Sequence, residues 1–234
     1  SFQYPNSADF ALDGIDLTIH KGETIAIVGA NGSGKSTLTR LLTGLYLPTA
    51  GTLAIDGVET AKVAPEALYR NVSAVFQRYQ SYKMTVAENV RISDMEKEKQ
   101  EPLGKGETVE SALEKASFYC ESGKLTEGLD SMLGKDFGGT DLSGGQWQRI
   151  AIARGLYRTH GMIVLDEPTA AIDPLEEADI YRRFAEISSG KTAVIVTHRL
   201  GSAQIADRIV VMDGGRIVDI GTHEELLQRD GKYR

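Results

Sequence analysis

The sequence predicts an α/β fold with a mostly parallel sheet, and three observations carry that expectation. Met162-Ile163-Val164-Leu165 and Ala193-Val194-Ile195-Val196 are apolar without alternation, as strands are when both faces of a sheet are covered. A third apolar run, Ile25-Ala26-Ile27-Val28, leads into a glycine-rich loop. The residues beyond that loop, Leu38, Leu41, Leu42 and Leu45, recur at helical spacing. A chain of 234 residues is long enough to close a well-buried core around such a sheet.

The loop itself reads Gly29-Ala30-Asn31-Gly32-Ser33-Gly34-Lys35-Ser36-Thr37, the pattern G-x-x-x-x-G-K-[ST] between a strand and a helix. Glycines let the backbone wrap an anion closely, so that successive N–H groups and the helix N-terminus face it. Lys35 is expected to reach the β- and γ-phosphates of a nucleotide, and Ser36 to ligate Mg²⁺.

Two carboxylates, Asp166 and Glu167, end the strand Met162–Leu165. Ligands bind at the carboxyl ends of strands in α/β sheets. Asp166 is therefore placed to hold Mg²⁺, and Glu167, one residue further out, to polarise an attacking water. Leu142-Ser143-Gly144-Gly145-Gln146 is a second serine–glycine turn, and Trp147, Ile150, Ala151 and Arg154 behind it suggest that it too opens a helix. Ser143 is either an ordinary N-cap or a second anion site.

Between these features, Thr52–Gly57 reads as a strand running into a turn, and Val72–Phe76 as another short strand. Thr108–Cys120 places Val109, Ala112, Leu113, Ala116 and Cys120 on one helical face, and Met95–Glu101 is dense in charge. A helix is expected after Pro174, with Leu175, Ala178, Tyr181 and Phe184 on one face. Arg208–Thr222 reads as a hairpin turning at Asp213-Gly214-Gly215, with a terminal helix over His223–Arg229. The expected organisation is a single domain over 1–234. Its core is 1–85 with 159–234, and a helical subdomain occupies 86–158.

Net charge is −7, which argues against broad nucleic-acid binding. The single cysteine, Cys120, excludes an internal disulfide and suits a reducing compartment. No apolar run approaches the ~18 residues of a membrane span. The chain begins at Ser1 rather than methionine, as a piece of a longer polypeptide or a processed chain would.

These motifs, in this order, resemble the ATP-binding-cassette (ABC) ATPases, and the resemblance covers nearly the whole chain. Gly29–Thr37 resembles the family's Walker A loop, Gln77 its Q-loop glutamine, and Leu142–Gln146 its signature. Met162–Glu167 resembles Walker B with the catalytic glutamate, Ala170-Ala171-Ile172-Asp173 the D-loop, and His198 the switch histidine. Tyr4 resembles the aromatic that stacks on adenine. Ile172 stands where leucine is common in the family, and Asp173 also suits an N-cap before Pro174. Phe137-Gly138-Gly139-Thr140-Asp141 is similar to exporters of small peptides such as lantibiotics.

The resemblance implies a phosphate-loop NTPase fold: a mostly parallel core, an antiparallel β subdomain and an inserted α-helical subdomain. It implies ATP and Mg²⁺ as ligands, with Lys35, Glu167 and His198 catalytic. Mg²⁺ would be held by Ser36, Gln77 and Asp166. ATP would be held by Tyr4, by Gly29, Ala30, Asn31, Gly32, Ser33, Gly34, Lys35, Ser36 and Thr37, and by Gln77. Ser143, Gly144, Gly145, Gln146 and Asp173 complete that set. Two copies would pair head to tail, each signature closing on the other's loop. The other implied partner is a transmembrane domain on the same full-length polypeptide, which puts the chain on the cytoplasmic face of the plasma membrane. The implied function is to power an exporter. The alternative is a separate ATPase subunit of an importer. Ribosome- or DNA-acting members would show two cassettes or a long coiled-coil insertion, and neither is present in this sequence.

Overall fold

A computed structural model describes residues 1–97, 107–120, 125–168, 191–198 and 200–233. The chain divides into two compact units. The first comprises Ser1–Ala74, His160–Glu167 and Ser188–Arg234, and the second Val75–Thr159 and Pro168–Ile187. The expected D-loop, the helix after Pro174 and most of the charged run from Met95 lie outside the described residues.

The first unit opens with β1 (Phe2–Gln3) and β2 (Phe10–Leu12), which pair antiparallel. Next come β3 (Thr24–Gly29) and helix α1 (Lys35–Leu42). β4 (Ala54–Ile55) and β5 (Val58–Glu59) form a second antiparallel ribbon. The strand running into a turn that is expected over Thr52–Gly57 narrows to Ala54–Ile55, and the turn follows where Asp56 and Gly57 both take positive φ. Helix α2 (Pro65–Asn71) leads into β6 (Val72–Val75). β7 (Met162–Asp166), β8 (Thr192–Val196), β9 (Arg208–Asp213) and β10 (Arg216–Gly221) follow.

The main sheet runs in the order β10-β9-β3-β8-β7-β6. β3 pairs parallel with both β8 and β9, β7 pairs parallel with β8, and β10 returns antiparallel on β9. Successive residues of β3 enter different layers. Ile25 and Ile27 pack with Leu38, Leu41 and Leu42 of α1 and with Val210 and Met212. Ala26 and Val28 pack instead with Ile209, Val211, Leu226 and Tyr233. Both faces are dry, which is why the strand shows no polar alternation. Each large side chain so buried contributes about 1.5–3 kcal/mol. Leu226 belongs to the terminal helix (His223–Gln228), which opens with a capping box between Thr222 and Glu225.

The second unit contains α3 (Val86–Arg91), α4 (Val109–Lys115) and α5 (Gly144–Tyr157), with α3 and α4 both packed on α5. The helix expected over Thr108–Cys120 starts as expected, with Thr108 as N-cap, but ends at Lys115. Ser117 adopts φ +56°. The Phe118 N–H then bonds the Leu113 carbonyl at 2.8 Å, and the Ser117 N–H bonds that of Glu114 at 2.9 Å. This is a Schellman stop, and it takes Cys120 off the helical face.

Candidate nucleotide-binding site

The register of the main sheet gathers the candidate residues of the first unit at one edge. Gly29, the last residue of β3, lies opposite Met212, and Ile27 lies opposite Val196. Val196 in turn lies opposite Asp166. The glycine loop, the acidic pair and His198 therefore all leave the sheet at the carboxyl ends of parallel strands.

The loop closes through a turn in which the Ser33 N–H donates to the Ala30 carbonyl at 3.1 Å. A Cβ on Gly29 would lie 2.3 Å from the Met212 carbonyl oxygen, so only glycine lets the loop leave β3 against β9. Gly34 takes φ +101° as the N-cap of α1, and the Leu38 N–H returns to its carbonyl at 2.9 Å. The Lys35 side chain is buried, and its ammonium donates to the carbonyls of Gly29 at 2.7 Å and Ala30 at 3.0 Å. Burial lowers its pKa, while the charges of Glu167 and Asp166 oppose that shift.

Asp166 is 7% exposed. Burial pushes its carboxyl up from the usual range, against a hydrogen bond with Ser36, and the Glu167 charge pushes the same way. Glu167 takes φ +48°, a conformation that side-chain-bearing residues seldom adopt. Its N–H is tied to the Val196 carbonyl at 3.0 Å. Its Oε1 lies 3.3 Å from Nδ1 of the exposed His198. Tyr4 packs edge-on against Phe2 and Tyr46, and its hydroxyl meets Thr37 Oγ1 at 3.1 Å and the Arg40 guanidinium at 3.0 Å. That hydroxyl places the ring beside the first turn of α1. The link through Arg40 carries no local sequence signal.

These residues fit a nucleotide phosphate chain and Mg²⁺. Ser33 Oγ is buried without a hydrogen-bond partner, at the loop where phosphate oxygens would be received. Ser36 and Asp166 offer hard oxygen donors side by side. Among the described residues no cluster of three or more His, Cys, Asp or Glu side chains is placed to hold a metal. Mg²⁺ is commonly held by one or two protein oxygens together with substrate phosphates and water.

The second unit carries the remaining candidates. Ser143 is the N-cap of α5, its Oγ accepting from the Gln146 N–H at 3.3 Å while Gln146 Oε1 accepts from the Ser143 N–H at 2.9 Å. This capping box exposes Ser143 and Gly144. Gln77 is exposed just after β6. Asp173 lies outside the described residues.

The segment after Gln77 is fastened to α5. The Tyr79 hydroxyl donates to the Gly144 carbonyl at 2.8 Å. Arg154 donates to the Asn89 and Gln80 carbonyls at 2.7 and 2.6 Å and to Asn89 Oδ1 at 2.5 Å, and it stacks on Tyr82. Asn89, itself fully buried, donates to the carbonyls of Tyr82, Met84 and Thr85. Helical spacing reveals Arg154 as part of a helix but not as the anchor of this segment.

A phosphate loop at the end of a parallel strand, with an acidic pair two strands away, defines the phosphate-loop class of α/β proteins. The chain belongs to the ABC transporter family, whose profile matches residues 12–170. It is 40% identical over 237 residues to the subtilin transport ATP-binding protein SpaT of Bacillus subtilis, covering 100% of this chain and 38% of that protein. It is 38% identical over 235 residues to the nisin transport ATP-binding protein NisT of Lactococcus lactis subsp. lactis, with the same shares of the two chains, 100% and 38%. A bacterial Atm1-family ABC exporter with ATP bound superposes with a TM-score of 0.85 at 32% identity, over 99% of this chain and 39% of that one. The two curated relatives are thus transport ATP-binding proteins and the superposed structure is an ABC exporter, and the chain spans well under half of the length of each. No helix among the described residues is long and apolar enough to cross a membrane.

Proposed function

We propose that this chain binds and hydrolyses ATP to power an ABC exporter from the cytoplasmic face of the plasma membrane. The observation that carries the reading is the convergence of Lys35, Ser36, Asp166, Glu167 and His198 at the carboxyl ends of β3, β7 and β8. ATP would lie along the loop from Gly29 to Thr37, its adenine against Tyr4. Lys35 would exchange its loop carbonyls for phosphate oxygens. Ser36 and Asp166 would hold Mg²⁺, joined by Gln77, and the bound ion would neutralise charge on the phosphates.

Glu167 would orient and deprotonate the attacking water. His198, paired to Glu167, would hold that carboxylate in place and donate toward the departing γ-phosphate. Phosphoryl transfer needs positioning and charge stabilisation more than covalent chemistry, and these residues supply both. Ser143, Gly144, Gly145 and Gln146, with Asp173, would close on the nucleotide of a second, identical copy. The exposed N-terminus of the 14-residue helix α5 suits that task. In this reading the helical region 86–158 is the signature subdomain. The segment Tyr79–Asn89 would meet a transmembrane domain on the same polypeptide.

Titration calorimetry with Mg-ATP tests the reading. Binding by the native chain, lost in Lys35→Ala, supports it. Equal affinity in the two proteins overturns it.

A further inference from the structure

The phosphate loop rests on a turn contributed by the far end of the chain. β9 and β10 are joined by Gly214-Gly215, with φ of +53° and +77°. The Gly215 N–H donates to the Ser33 carbonyl at 3.1 Å. The Gly215 carbonyl accepts from the Asp13 N–H at 2.9 Å, and Arg216 pairs with the Asp13 carboxylate. The turn is thus held on one side by the end of β2 and on the other by the loop.

A trans peptide directs its C=O and N–H to opposite sides. Because the Ser33 carbonyl points at Gly215, the Gly34 N–H points away from the hairpin. Gly34 is the N-cap of α1, and it has no side-chain hydrogen bond to offer the first N–H groups of that helix. We propose that Gly215 is a positioning residue: through the Ser33 carbonyl it aims the Gly34 N–H at the phosphate chain. The inference rests on the reading of Gly29–Thr37 as the phosphate site.

The two turn glycines provide a matched comparison. A Cβ on Gly215 would lie 2.8 Å from the Ala11 carbonyl oxygen and 3.2 Å from its carbon, and backbone cannot swing aside. A Cβ on Gly214 meets nothing within 4 Å. Both substitutions impose the same kind of left-handed strain, but only Gly215→Ala must lift the turn off β2 and off Ser33.

The test titrates the chain with Mg-ATP and with a fluorescent adenosine, which lacks the phosphates. Gly215→Ala should weaken ATP binding by about five- to tenfold, the effect of one misdirected hydrogen bond to a charged group, and leave adenosine binding within about twofold. Gly214→Ala should leave both within about twofold of the native protein. The proposal is overturned if Gly215→Ala binds ATP normally, if it loses ATP and adenosine equally, or if Gly214→Ala behaves the same way. Should Gly215→Ala fail to fold, a semisynthetic chain with glycolic acid in place of Gly215 decides, because the backbone ester removes only the N–H that meets the Ser33 carbonyl and adds no side chain. A selective loss of ATP affinity supports the proposal, and an unchanged affinity overturns it. A native chain that does not bind Mg-ATP would remove the reading of the site itself, and this inference with it.

Discussion

His198 Nδ1 lies 3.3 Å from Glu167 Oε1, across the adjacent ends of β8 and β7. The same two strand ends hold the glutamate backbone, through the 3.0 Å bond from its N–H to the Val196 carbonyl. A glutamate at φ +48° pays about 1–2 kcal/mol in steric strain. Such strain persists where neighbouring structure over-determines the conformation, and it concentrates at functional sites.

Glu167→Gln should lower ATP turnover by at least about 100-fold, because the amide cannot accept the proton of water. Lys35, Ser36 and Asp166 are untouched, so Mg-ATP should still bind. The variant should then shift from monomer to dimer on size exclusion when Mg-ATP is present. Phosphate release at the native rate would remove Glu167 from its assigned role.

Asp166→Asn should stabilise the chain while impairing Mg²⁺-dependent binding. Burial raises the Asp166 pKa above its usual value, so the folded state holds this proton more tightly than the unfolded state. Stability from this group is therefore complete at acid pH, and it falls as pH rises from the usual carboxylate range through the raised folded value. At pH 7 the asparagine variant, which carries no buried charge here, should melt about 2–4 °C higher. The gain should shrink toward pH 4. A lower melting point at neutral pH would contradict the account.

Arg208→Ala should destabilise the first unit by about 2 kcal/mol at neutral pH. Arg208 bonds both oxygens of the nearly buried Glu23 carboxylate and donates to the Thr18 carbonyl at 2.6 Å. Burial alone would raise the Glu23 pKa, but the hydrogen bonds from Arg208 and the His20 N–H outweigh it and hold the carboxyl below its usual 4.5. This contribution is present above that value and is lost as pH falls through the lowered folded value. Urea unfolding should show a gap between the variant and the native chain at pH 7 that narrows at about pH 3. A gap independent of pH would assign the loss to packing alone.

Ser117→Gly should stabilise the second unit by about 1 kcal/mol. It relieves the left-handed strain at the end of α4 and leaves both Schellman hydrogen bonds intact. The bond from Arg149 to the residue 117 carbonyl, 2.7 Å long, involves backbone on that side and survives the change. A higher urea midpoint at unchanged slope is the expected result, and a lower midpoint refutes it.

Much of the chain was legible because its signals are local. The unalternating runs at Ile25, Met162 and Ala193 mark strands buried on both faces, since no position along them faces water. The loop from Gly29, the hairpin at Gly214-Gly215 and the cap at Ser143 each depend on side-chain and turn chemistry within a few residues. The length of α4 departs from its apolar spacing for an equally physical reason. Apolar spacing continues to Cys120, whereas the chain turns at Ser117, and serine gives no warning of a left-handed stop that glycine usually supplies.

The sequence by itself therefore determined the parallel core, the phosphate loop, the acidic pair that ends β7 and the family to which the chain belongs. Only the tertiary structure decided that Glu167 faces His198, that Arg154 binds Asn89 and the Gln80 carbonyl, and that the Gly215 N–H meets the Ser33 carbonyl. Periodicity and turn chemistry act over a few residues. These pairings join residues far apart in the chain, and they follow from which strands pair and in what register. That outcome is settled by burial of the whole sheet, which no local pattern records.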